Sequence, residues 1–172
     1  MWTSRRGLLG AASVAAAGLV AGTRGVFAGN KQLAFSDMNK GKGTACLYHC
    51  DFGDQQRFAQ VLNNITNHFG AYNNDRNKIK IVLVTHSAGI KFFLTDLNDT
   101  PWANETLDPA LYNRFVELTK HGLEAYLCQI TFKRLKVDPA KARVEPFLSF
   151  VPSGVATVAE LQKKGFAYLK VG

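Results

Sequence analysis

Three cysteines are the most reactive side chains in this sequence, and Cys128 is the one best placed to act. Cys128 ends an apolar, strand-like run, and a basic helical segment containing Lys133 and Arg134 begins directly after it. The partial positive charge of a helix N-terminus and nearby cations favour the thiolate, which is the nucleophilic form. We therefore predict that Cys128 is the reactive residue. The alternative is a small buried apolar residue, the role of most free cysteines.

Cys46 and Cys50 lie four positions apart in a predicted strand. Four extended residues span about 13 Å, whereas the two Cα atoms of a disulfide lie within about 7 Å of each other. We therefore do not expect these two cysteines to bridge. The order of Cys46, His49 and Cys50 also differs from the C-x-x-C-H order of covalent haem attachment, so haem is not predicted.

A second candidate site is the turn His86-Ser-Ala-Gly89, which follows the most apolar predicted strand. Ligands of open α/β sheets bind at the carboxyl ends of the strands. Backbone N–H groups from Ser87 to Gly89 could bind an anion there, with His86 and Lys133 nearby. The alternative is a plain turn. Ser87 is not predicted as a nucleophile, because the first glycine of a G-x-S-x-G motif is missing.

A metal site is a further alternative. Thiolate and imidazole ligands suit zinc or Cu(I), and His49, Cys50, His86 and Cys128 could form such a set if the strand ends converge. None of these residues has the compact spacing of a zinc finger. We therefore predict no metal and no cofactor. A glycine fingerprint for NAD or ATP is also missing.

Strand-like and helix-like segments alternate along the chain. This alternation predicts an α/β three-layer sandwich with a mostly parallel sheet flanked by helices. The predicted strands are 44–49, 78–85, 123–128, 147–151 and 166–171. The predicted helices follow Asp54, begin at Pro109, cover 129–136, and run from Ser153 or Gly154 to Leu161.

The N-terminal residues indicate export. Residues 1–28 combine Arg5-Arg6 with a 16-residue apolar run to Gly22 and the triplet Val26-Phe-Ala28, features of a twin-arginine signal peptide. The run is shorter than the roughly 20 residues of a transmembrane helix. We therefore predict periplasmic export without stable membrane insertion after signal removal. Residues 29–43 are expected to form a flexible lead-in, and 44–172 the domain.

The charge of the chain argues against nucleic acid as a partner. The formal net charge of +8 falls to +5 without residues 1–28. The remaining basic residues are scattered rather than clustered with aromatic residues, which is typical of a solvated surface.

The domain resembles the DsrE/DsrF-like family. The resemblance rests on Phe147-Leu-Ser-Phe-Val-Pro-Ser-Gly-Val155 with Glu160-Leu-Gln162 and Gly165-Phe-Ala-Tyr168, on the His86–Lys91 turn, and on Leu127–Lys133. Tyr48-His49 and the Asn-rich segment 62–68 fit as well, so that the resemblance covers about residues 44–170.

This resemblance implies a five-stranded sheet and assembly into homo-oligomers, either trimers or hexamers. It also implies a sulfur relay in which Cys128 carries a persulfide between donor and acceptor proteins. Thiolation of transfer RNA, another family role, conflicts with export. The competing hypothesis is a non-catalytic oligomeric module that binds a small ligand, anion or metal in a pocket at the strand ends.

Overall fold

The computed structural model describes residues 29–171 as one sheet of six parallel strands with helices on both faces. The strand order is β1-β5-β4-β3-β2-β6. The strands are β1 (Lys31–Gln32), β2 (Thr44–Cys50), β3 (Ile79–Thr85), β4 (Glu124–Cys128), β5 (Leu148–Val151) and β6 (Ala167–Lys170). The α-helices are α1 (Gln55–Ala71), α2 (Pro109–Thr119), α3 (Gln129–Leu135) and α4 (Gly154–Lys163). The predicted signal peptide, residues 1–28, lies outside the described residues.

The centre of the sheet is formed by the most apolar segment of the chain. In β3, every residue except Lys80 is buried, as expected for a parallel strand with helices on both faces. β3 pairs with β2 on one side and with β4 on the other. The predicted α/β sandwich with a parallel sheet is therefore confirmed.

Helix α1 begins and packs as its sequence predicts. The Asp54 carboxylate accepts a hydrogen bond of 2.7 Å from the backbone N–H of Arg57, which caps the first turn. The helix ends at Ala71, one residue past Gly70. Apolar side chains at steps of three and four residues form its buried face: Phe58, Val61, Leu62, Ile65 and Phe69.

The two faces of the sheet are covered unequally. One face packs against α1, α2 and α3 and contains the larger apolar cluster, which includes Phe58, Phe115 and Phe132. The other face packs against α4 and the N-terminal segment and contains a smaller cluster, which includes Leu161 and Met38. This second, more thinly covered face is the one on which His49 and His86 lie.

The structure differs from the expectation in the N-terminal segment. Residues 29–43, expected to form a flexible lead-in, contribute the sixth strand, and β1 pairs in parallel with β5. Leu33 and Met38 are buried, and the side-chain amide of Asn30 donates a hydrogen bond to the Arg143 carbonyl. A two-residue strand has too little sequence pattern to be predicted, because its place depends on the exposed edge of β5.

The described residues contain no helix long and apolar enough to cross a membrane.

Candidate functional site

Three of the predicted site residues lie at one edge of the sheet. His49 is the penultimate residue of β2, His86 directly follows β3, and Cys128 ends β4. These strands are parallel neighbours, and His49 pairs with Val84 across β2 and β3. The chain segments leave the sheet together at this edge, where ligands of α/β proteins usually bind.

Two imidazoles are in contact at this edge. The Nε2 atoms of His49 and His86 lie 2.6 Å apart. Each ring has a hydroxyl partner on its other nitrogen, because His49 Nδ1 is 2.9 Å from the Tyr168 hydroxyl and His86 Nδ1 is 3.0 Å from Ser87 Oγ. These two hydroxyl contacts to the Nδ1 atoms therefore fix the orientation of both rings.

The local environment favours neutral imidazoles. Burial lowers the pKa of both His49 and His86 below the usual value, and the neighbouring His86 lowers the pKa of His49 further. The Asp51 carboxylate acts in the opposite direction on both rings. Neutral rings leave lone pairs available for a proton or a metal ion.

Asp51 is the residue that the sequence reasoning missed. No function was assigned to it from the sequence, yet its carboxylate forms a cluster with His49 and His86. One ligand atom from each residue lies within 4.8 Å of the others. The signal was the spacing of two between His49 and Asp51, since alternate residues of an extended chain point to the same side.

Cys128 lies next to this pair, and Gly154 separates them. A Cβ atom at Gly154 would lie 2.9 Å from His86 Cδ2 and 3.2 Å from Cys128 Cβ. The first residue of α4 must therefore be small for both side chains to pack there. Cys128 is only 4% exposed, because α3 and α4 both begin over the end of β4.

The other two thiols lie elsewhere. Cys50, part of the hypothetical metal set, is fully buried in the larger apolar cluster, and its Sγ lies 3.7 Å from the Phe52 carbonyl oxygen. Cys46 is also buried and lies 3.9 Å from His68 Nε2. Strand alternation puts both on the opposite face of β2 from His49, so the structure does not bring Cys50 to the imidazole pair.

In the predicted anion-binding turn, the backbone N–H groups of Ser87 and Gly89 already have hydrogen-bond partners within the protein. The turn forms a 3₁₀ helix, Ser87–Phe93, and Ser87 has a positive φ of 51°. The Ser87 N–H donates to Thr131 Oγ1 and the Gly89 N–H donates to the His86 carbonyl, each at 3.0 Å. These two N–H groups would have to exchange their partners to bind an anion.

A cavity of about 240 Å³ lies beside this turn. Ser87, Trp102, Thr131 and Arg134 contribute to its lining. Lys133, the cation that we predicted for the anion site, is exposed on α3 but is not part of this lining, whereas the next residue, Arg134, is. The cavity offers an apolar surface with one cation at its rim.

The loop that contains Asp51 packs against the buried side chain of Lys91. Lys91 is 3% exposed and forms an ion pair with Glu105. A Cβ atom at Gly53 would lie 2.9 Å from Lys91 Nζ, so the loop passes directly over the ammonium group. A buried charge is tolerated only when it is paired, and this pair anchors the turn between β2 and α1.

Comparison with known proteins decides the family. The model of the DsrE/DsrF-like family matches residues 45–171, nearly the whole described part of the chain. The chain belongs to the DsrE/DsrF-like family. The resemblance inferred from the sequence motifs is thereby confirmed at the level of the family, and the DsrE/DsrF-like fold agrees with the parallel sheet described above.

Two proteins similar to this DsrE/DsrF-like chain carry no functional name. An uncharacterized protein of Aquifex aeolicus is 26% identical over 124 residues, which are 72% of this chain and 54% of that protein. The chain thus spans about half the length of this relative. A solved structure of a protein of unknown function from Methanobacterium thermoautotrophicum superposes with a TM-score of 0.56 at 20% identity, covering 74% of this chain and 98% of that one.

Proposed function

We propose that this protein is an exported sulfur carrier that holds sulfur as a persulfide on Cys128. The observation that carries the proposal is the position of Cys128 at the end of β4, directly before α3 and beside His86. Family membership supports it, because a sulfur relay is an activity associated with the DsrE/DsrF-like fold. All three thiols are buried, and the other two lie in β2 on the face opposite His49.

The loading step is a thiol–disulfide type of exchange. The Cys128 thiol gives its proton to solvent, and the thiolate attacks a sulfur atom of an S–S bond in a polysulfide or a donor persulfide. A new S–S bond forms on Cys128, the donor S–S bond breaks, and the donor sulfide or thiolate leaves with the electron pair. One S–S bond replaces another, so no external oxidant is needed.

The burial of Cys128 has a consequence for this step. With 4% of the residue exposed, a donor reaches the sulfur only when the first turn of α3 or α4 moves aside. Local opening of this kind restricts loading to donors that dock at this edge. It also shields the loaded persulfide from solvent thiols, which is useful in a carrier.

The experiment that tests this function is sulfur loading followed by intact mass measurement. The purified chain, reduced beforehand, is incubated with inorganic polysulfide, and we expect a mass gain of one or more sulfur atoms on the peptide containing Cys128. Removal of the added mass by dithiothreitol separates a persulfide from a sulfinic acid, which has nearly the same mass but resists reduction. A chain that stays unmodified would contradict the proposal.

We propose export to the periplasm through the twin-arginine motif Arg5-Arg6. Replacing both residues with Lys keeps the charge but removes the motif. We therefore expect the substituted chain to stay in the cytoplasmic fraction, while the unchanged chain appears in the periplasm without residues 1–28. Equal periplasmic amounts of both chains would contradict this localisation.

We also propose that the carrier forms a homo-oligomer, a trimer or a hexamer. Two apolar side chains beside the site support this, since Ile130 is 45% exposed at the start of α3 and Val155 is 66% exposed at the start of α4. Both residues begin helices at the sheet edge that holds the site, where a subunit interface would bury them. Light scattering at micromolar concentration should give the mass of three or six chains, and a monomer would refute this assembly.

A further inference from the structure

The cluster of His49, Asp51 and His86 has a composition and a geometry that the sulfur-carrier role does not require. Two imidazoles and one carboxylate converge, with their ligand atoms all within 4.8 Å of one another. All three residues are partly buried. We propose that these three side chains form a binding site for a divalent transition-metal ion.

The hydrogen bonds behind the two rings support a metal site. Tyr168 and Ser87 contact the Nδ1 atoms, and when those atoms carry the protons both Nε2 atoms present lone pairs to the same point. Without a metal, one Nε2–H donates a hydrogen bond to the other Nε2 across this 2.6 Å contact, and a metal ion bound between the two nitrogens would take the place of that proton. Metal-binding histidines are usually oriented in this way by a partner on the other ring nitrogen.

The distances require only a small adjustment. Zn–N bonds of about 2.0–2.1 Å in tetrahedral geometry place two ligand nitrogens roughly 3.3 Å apart. The Nε2 atoms of His49 and His86 must therefore separate by less than about 1 Å from their present 2.6 Å. Rotation of the two side chains achieves this without any change in the β2–β3 register.

The ligand set selects the class of ion. Imidazole nitrogen with one carboxylate suits zinc and copper, whereas calcium and magnesium prefer oxygen ligands throughout. Three protein ligands leave a coordination position open for water or a small ligand, as in reactive rather than structural zinc sites. Cys128 is not one of the three ligands, so the metal-site proposal does not depend on the proposal that Cys128 carries a persulfide.

Zinc binding to the purified full chain tests this inference. After dialysis against EDTA, isothermal titration with ZnCl₂ should show one zinc ion per chain, and MgCl₂ should give no heat of binding. We expect His49→Ala, His86→Ala and Asp51→Asn each to weaken zinc binding by at least about tenfold. Tyr168→Phe, which removes only an orienting hydroxyl, should weaken it about tenfold as well.

Two matched variants serve as controls. His121→Ala removes an imidazole that lies just after α2 and contacts Phe69 of α1. Cys128→Ala removes the thiol next to the proposed metal site. Both variants should bind zinc like the unchanged chain. Because Asp51→Asn preserves shape, its melting temperature without metal reports whether it folds. Zinc should raise the melting temperature less in Asp51→Asn than in the unchanged chain and the two controls.

Three results would overturn the inference: no zinc binding at 100-fold excess over the chain, equal weakening by His121→Ala and His49→Ala, or loss of binding in Cys128→Ala. Polysulfide loading of Asp51→Asn separates the two proposals. Unchanged loading together with weakened zinc binding shows that the two functions of this sheet edge are independent.

Discussion

Cys128→Ala is expected to lose polysulfide loading completely, whereas Cys46→Ala and Cys50→Ala are expected to load as the unchanged chain does. The reason is the different setting of the three thiols. Burial raises the pKa of Cys46 above its usual value and raises that of Cys50 to about 12. A raised pKa lowers the fraction of thiolate at these two positions, and the thiolate is the form that attacks sulfur donors.

The measurement is the mass gain of each variant after the same exposure to polysulfide. Cys128→Ser is the matched control for folding, because it replaces only the sulfur atom and keeps the size of the side chain nearly unchanged. Cys46 and Cys50 should begin to load only when the pH is raised toward their raised pKa values, where the thiolate forms. A mass gain in Cys128→Ala at pH 8 would show that the carrier residue has been assigned incorrectly.

Gly89→Ala is expected to destabilise the fold by roughly 3 kcal/mol. A Cβ atom at this position would lie 2.3 Å from the Cys50 carbonyl oxygen and 2.9 Å from Cys50 Sγ. The carbonyl cannot move freely, because it ends β2 and accepts a hydrogen bond of 3.1 Å from the His86 N–H. Glycine is thus required by the close approach of two backbone segments.

Gly70→Ala is the matched control for this substitution. No atom lies within 4 Å of a Cβ built at Gly70, which is near the end of α1. Alanine is the better helix former, so we expect a gain of about 0.5 kcal/mol. Urea unfolding measures both free energies, and a Gly89→Ala chain as stable as the Gly70→Ala chain would refute the packing of the turn against β2.

The contact between His49 and His86 connects the stability prediction for Gly89→Ala with the prediction of zinc binding. Gly89 packs on Cys50, the residue after His49, and the His86 N–H binds the same carbonyl. A displaced Cys50 would therefore move His49 relative to His86. Zinc binding and stability should fall together in Gly89→Ala, whereas sulfur loading at Cys128 depends on β4 and α3.

The elements of the fold could be predicted because each depends on local pattern. The β-branched run of β3 and the three- and four-residue steps of α1 both follow from short-range geometry. The cap at Asp54 and the start of α2 at Pro109 were predicted from the same kind of signal. The alternation of the elements then implied the parallel sheet.

The site itself was predicted only in part. The sequence placed His86 and Cys128 at strand ends, and it grouped both with His49 and Cys50 in one possible metal set. It did not indicate which strands are neighbours, so the convergence of His49 and His86, 37 positions apart, remained one arrangement among several. The role of Tyr168 was hidden for the same reason, since β6 returns to pair with β2.

The sequence by itself therefore determined the elements, the class of fold, the family resemblance and the thiol at the end of a strand. Only the tertiary structure decided that Asp51 joins the two imidazoles, that Cys50 turns away from them, and that Cys128 is buried under α3 and α4. The physical reason is the distance along the chain over which each interaction acts. Helix and strand periodicity act over a few residues, whereas strand order and register are set by the packing of the whole sheet.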